Sequence, residues 1–72
     1  MVQITDYGKQ IKKRLVDLDQ SQSWLIQEVM KRTGLFLDSG YLYKIMTGQR
    51  RAPSIVSAIN EILSLTDEQN AE

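Results

Sequence analysis

The chain has 72 residues, enough for one domain, and its nine Lys and Arg balance its nine Asp and Glu to give no net charge. It contains no Cys and no His, which excludes disulfides and the usual zinc sites. A fold of this size is only modestly stable, so apolar packing, with or without self-association, has to hold it.

Helical periodicity dominates, and a compact all-α domain of about four helices is expected over residues 1–66. Tyr7, Ile11, Leu15 and Leu18 form one stripe of a first helix that begins near Thr5 and ends around Asp19, with Lys9, Lys12 and Lys13 on its other faces. Ser21 reads as the N-cap of a second helix, because its hydroxyl can accept a bond from an unpaired backbone N–H. Trp24, Leu25, Val29 and Met30 form the inner face of that helix, and Gly34 stops it. Leu35, Phe36 and Leu37 are too few for a strand and read as a connector whose side chains tuck into the core.

Asp38 caps a third helix with Leu42 and Ile45 as its buried pair and Gly48 at its end. Tyr41 sits one turn before Ile45 and is expected in the core, whereas Tyr43 faces outward. Met46 fills a gap at the core edge, and Trp24 anchors helices to one another. Pro53 occupies the first turn of a fourth helix, where its missing N–H costs nothing. Ile55, Ile59 and Ile62 supply the inner face of that helix, with Val56 and Leu63 beside them. Residues 67–72 read as a flexible acidic tail.

The neutral total hides an asymmetry. The first 52 residues hold nine bases and five acids, a balance of +4, and the remainder holds four acids and no base. Such a split points to a polyanion-binding face, with ordinary solvated charge as the alternative. The N-terminus "MVQITDYGKQ" has no apolar core of a signal peptide, and the longest apolar run is three residues. A cytoplasmic domain that does not enter the membrane is therefore expected.

Catalysis lacks its usual parts. Without His or Cys, the commonest general base and the best nucleophile are missing. The paired carboxylates Asp17/Asp19 and Asp67/Glu68 fall at a helix end and in the tail, where solvated charge explains them. The glycines are scattered singly and form no phosphate loop. No enzyme activity, cofactor, metal or small-molecule ligand is expected.

The requirements of a major-groove reader are met in one place. Such a reader needs a short helix with polar side chains near its N-terminal end, flanked by cations that grip phosphates. Ser39, Gly40, Tyr43 and Lys44 lie off the Leu42/Ile45 face, and Gln49, Arg50 and Arg51 follow at the helix exit. Gly40 has no side chain, which would let the helix backbone approach DNA closely.

The stretches "SQSWLIQEV" and "YLYKIMTGQRRAPSIVSAINEIL" resemble the Cro/repressor-type (XRE-like) helix-turn-helix family of phage and bacterial regulators. Ser21-Gln22, Leu25, Ile45, Gly48, Arg50 and Pro53 fit the pattern of that family, and Ile59 to Leu63 fit its last helix. The likeness spans residues 7 to 65. It implies a lambda-repressor-like helix-turn-helix fold and double-stranded DNA as partner. It further implies that Gln22 braces the DNA backbone, that Ser39, Tyr43 and Lys44 face the groove, and that Gln49, Arg50 and Arg51 meet phosphates. Two places depart from the family: the turn "KRTGLFLDSG" is longer, and Gly40 stands where such proteins often carry a base-reading side chain.

The expected function is a sequence-specific, DNA-binding transcriptional regulator that occupies an operator through its third helix. It would act as a weak homodimer or as a monomer that pairs on DNA, through the fourth helix or the tail. The rival readings are a protein-interaction module, such as an antirepressor or adaptor, and an architectural or excision DNA-binding protein.

Overall fold

A computed structural model describes residues 4–65, and each of its four helices starts at a signal legible in the sequence. Helix α1 runs Asp6–Asp17, and the Thr5 hydroxyl ahead of it accepts the Gly8 N–H at 3.1 Å. Helix α2 runs Gln22–Thr33 behind Ser21, whose hydroxyl accepts the Trp24 N–H at 3.1 Å. It stops at Gly34, which takes the left-handed conformation (φ 70°) that glycine adopts without a Cβ penalty. Helix α3, Ser39–Met46, starts at Asp38, whose carboxylate accepts the Tyr41 N–H at 2.8 Å. Helix α4, Pro53–Leu63, opens on its proline.

Each helix turns one apolar face inward. Ile11 and Leu15 of α1 meet Leu25, Ile26 and Val29 of α2, Leu42, Ile45 and Met46 of α3, and Ile55, Ala58, Ile59 and Leu63 of α4. The most extensive packing is between α2 and α4, while α1 bridges α3 and α4. Burying each such side chain is worth about 1.5–3 kcal/mol relative to exposure. The described residues contain no strand, and none of their helices is long and apolar enough to cross a membrane.

Two polar ties fix α1 on the rest. The Tyr7 hydroxyl donates to Asn60 Oδ1 of α4 at 2.8 Å, and Arg14 Nε donates to the Leu63 carbonyl at 2.8 Å. The second bond satisfies a carbonyl left open at the end of α4. A third tie sets the position of α3. The Thr5 N–H and hydroxyl both donate to the Met46 carbonyl, at 3.0 and 2.8 Å. Gly8 makes this approach feasible, because a Cβ there would collide with the Met46 carbonyl oxygen and lie 2.6 Å from Ile4.

Several expectations need correction. Helix α1 ends at Asp17, with Leu18 as its cap and 37% exposed, because the chain reverses through Asp19 at φ 58°. In the connector only Leu37 is buried (1% exposed), while Leu35 and Phe36 are 46% and 69% exposed. Adjacent side chains leave the backbone in different directions, so Phe36 turns outward while Leu37 faces in, and Leu35, next to the α2 cap Gly34, stays outside the core. Met46 is a full core residue and not an edge filler. Ile26 joins the inner face of α2, while Trp24 and Met30 are half-buried against it. On α4, Val56 and Ile62 are half-buried rather than inner. Helix α3 ends at Met46 with Thr47 as its cap, and Gly48 stops it as expected, in the left-handed conformation at φ 81°. The expected tail at 67–72 lies outside the described residues.

Candidate nucleic-acid interface

Helix α3 is amphipathic over only eight residues. Leu42, Ile45 and Met46 point into the core, so Ser39, Gly40, Tyr43 and Lys44 fall on the opposite face and are all exposed. Its orientation is fixed at both ends. Asp38 caps the start, and the Thr5 pair grips the Met46 carbonyl at the finish.

The exit from α3 is folded back onto its last turn. The Lys44 carbonyl accepts the N–H groups of Gln49 and Arg50, at 2.8 and 3.2 Å. The Thr47 hydroxyl donates to the Tyr43 carbonyl at 2.9 Å and accepts from the Gln49 side-chain amide at 2.8 Å. These bonds place Arg50 beside the helix. Its guanidinium lies over the Tyr41 ring, 5.0 Å from the centroid, a geometry in which the ring quadrupole attracts the cation. Tyr41, expected in the core, is only half-buried against it and also serves as a shelf for Arg50.

Between connector and helix lies an open groove of about 310 Å³, lined by Phe36, Asp38, Gly40, Tyr41, Lys44 and Arg50. A second depression of about 250 Å³ is lined by Arg50 and Arg51 together with Thr5, Tyr7, Ile45, Gly48 and Val56. Arg50 borders both, so the surface around α3 is continuous across that residue.

The eight residues expected to contact DNA are all exposed, and they do not form one cluster. Gly40, Lys44 and Arg50 share the groove, Arg51 lines the neighbouring depression, and Ser39 and Tyr43 flank Gly40 and Lys44 along α3. Gln49 holds the exit loop through Thr47, so its amide already has a structural partner. Gln22 stands at the start of α2 and lines neither depression. Sequence reasoning missed Phe36 as a groove residue and the Arg50–Tyr41 stack, because neither has a local signature.

The charges sort into two groups. Arg14, Lys31 and Arg32 pair with Asp17, Glu28 and Glu61 at 3.7, 3.4 and 3.3 Å. Among the described residues six cations pair with no carboxylate: Lys44, Arg50 and Arg51 around α3, and Lys9, Lys12 and Lys13 on α1. The one acid in the groove, Asp38, is held as the cap of α3. The surface around α3 therefore keeps uncompensated positive charge. Among the described residues no three metal-ligating side chains converge.

On the α4 face, Ile55, Ala58, Ile59 and Leu63 are consumed by the domain's own core. Among the described residues, the large apolar side chains left exposed are Val16 and Leu18 at the end of α1, Leu35 and Phe36 in the connector, and Tyr43. No protein-family model, curated protein or solved structure matches the chain. Over the described residues, fold and surface define a small all-α domain of four helices in which the short α3 exposes one face, with Lys44 on it and Arg50 and Arg51 just past its end.

Proposed function

We propose that the chain is a sequence-specific, double-stranded-DNA-binding transcriptional regulator of the Cro/repressor kind, with α2 and α3 as its helix-turn-helix and α3 in the major groove. The observation that carries this reading is the grouping of unpaired Lys44, Arg50 and Arg51 around the exposed face of α3, while the other face of the helix is locked in the core. Phosphate contacts fix register, and side chains on base edges supply specificity. Arg50 and Arg51 suit the first task, and Ser39, Tyr43 and Lys44 the second. Two copies on a palindrome would place two α3 helices about one helical turn apart. Repression would then follow from steric occupation of the operator.

Binding to selected and to random duplexes across a salt series tests the reading. A log–log salt slope corresponding to several released counterions, with tighter binding to the selected duplex, is the expected result. Sedimentation of the chain with a palindromic duplex tests pairing, and a strict monomer both free and bound would remove the dimer.

A second reading draws on exposed Leu35 and Phe36: a protein-interaction module acting as antirepressor or adaptor. Salt-insensitive or absent duplex binding would favour it.

A further inference from the structure

Phe36 and Gly40 are two features of the groove that the fold itself does not explain. Phe36 is 69% exposed although its neighbour Leu37 is fully buried, so its ring contributes little to the core. Gly40 is equally idle. Gly8 is required by the contact with Met46, and Gly34 by its positive φ, but Gly40 sits inside a helix. A Cβ built there would meet only Asp38 Oδ1, at an ordinary 3.7 Å. Alanine would fit, and nothing in the backbone requires glycine at this second position of the helix. The missing side chain therefore frees space on the outside only.

That space opens into the same groove that Phe36, Lys44 and Arg50 line. A bare helix surface beside an exposed ring and two cations, which outweigh the single carboxylate of the capping Asp38, suits a ligand that presents an apolar group within an anionic framework. The major groove of DNA offers one such group, the C5-methyl of thymine, flanked by phosphates. We propose that Phe36 and Gly40 form a subsite for a thymine methyl in the major groove, so that the α2–α3 connector reads sequence alongside α3. This inference rests on the DNA-binding reading above and deepens it. Lys44 in the same groove can donate to guanine O6 or N7. The favoured half-site should thus carry a thymine close to a guanine.

The test replaces thymine by deoxyuracil, one position at a time, in the duplex selected by the full chain. This exchange deletes the methyl and leaves every hydrogen-bonding group in place. For the unmodified chain, at least one position should weaken binding about fourfold, equivalent to about 0.8 kcal/mol for one buried methyl. With Phe36→Ala that penalty should vanish, and with Phe36→Leu it should largely return. A uracil penalty that survives Phe36→Ala, or no penalty at any thymine, overturns the subsite while leaving DNA binding intact. If the unmodified chain binds neither duplex with salt dependence, the underlying reading fails as well.

Discussion

The guanidinium of Arg50 stacks 5.0 Å above the ring of Tyr41, a residue that is itself half-buried against the core. A flexible cation just past a helix is thereby held over one edge of the groove instead of sweeping through solvent. Arg50→Ala should weaken binding to every duplex and lower the salt slope by about one contact. Tyr41→Phe keeps the ring and should leave both quantities unchanged. Loss of binding in Tyr41→Phe would mean that the hydroxyl, not the shelf, matters.

Adjacent connector residues should behave oppositely in a thermal melt. Phe36→Ala removes an exposed ring and should change stability by no more than about 0.5 kcal/mol. Leu37→Ala empties a site that is 1% exposed and should cost about 2–5 kcal/mol, lowering Tm by roughly 10 °C or more. Comparable melts for the two variants would contradict the opposite orientations described for these two residues.

Tyr7 gives the fold an alkaline limit. Burial pushes its hydroxyl well above the usual tyrosine range, and the protonated form donates to Asn60. A group whose folded pKa is raised stabilises below its unfolded pKa, about 10 for tyrosine, and that stability fades as pH rises beyond it. Unfolding midpoints should therefore fall more steeply above about pH 10 for the unmodified chain than for Tyr7→Phe. The variant should itself lose about 0.5–1.5 kcal/mol near neutrality through the missing hydrogen bond. Parallel pH profiles would show that Tyr7 ionises without strain.

Much of the fold was legible because it is local. Ser21, Gly34, Asp38 and Pro53 each mark a helix end through chemistry that acts within a few residues, and all four stand where the sequence places them. The spacing of Leu42 and Ile45 likewise separates the outward face of α3 from the core. What escaped reading is tertiary or depends on the path of a short loop. Nothing near Thr5 or Gly8 announces the Met46 carbonyl, which lies 41 residues from Thr5 in sequence. Nor does the run Leu35-Phe36-Leu37 say which of its side chains will face inward. Ala52 (φ 45°) adopts the left-handed region although alanine disfavours it, whereas Asp19 (φ 58°) belongs to the few non-glycine types that visit it.

Gly40→Ala should separate stability from function. Its methyl would make only an ordinary 3.7 Å contact with Asp38 Oδ1, so the helix should gain no more than about 0.5 kcal/mol and the melt should rise slightly. Affinity for the selected duplex should fall, because the methyl intrudes where the base edge approaches. A variant that is more stable and binds equally well would place DNA away from this face.

The central claim is that α3 reads bases while the cations after it hold phosphates, and paired titrations of Lys44→Ala and Arg51→Ala test it most directly. Neither side chain belongs to the core, so the comparison is free of folding losses. Arg51→Ala should weaken binding on selected and random duplexes alike and reduce the salt slope by about one contact. Lys44→Ala should cost about 1–3 kcal/mol on the selected site and much less on random DNA. Equal losses for both variants on every duplex would contradict base reading by α3, and no loss for either would contradict DNA binding through this surface.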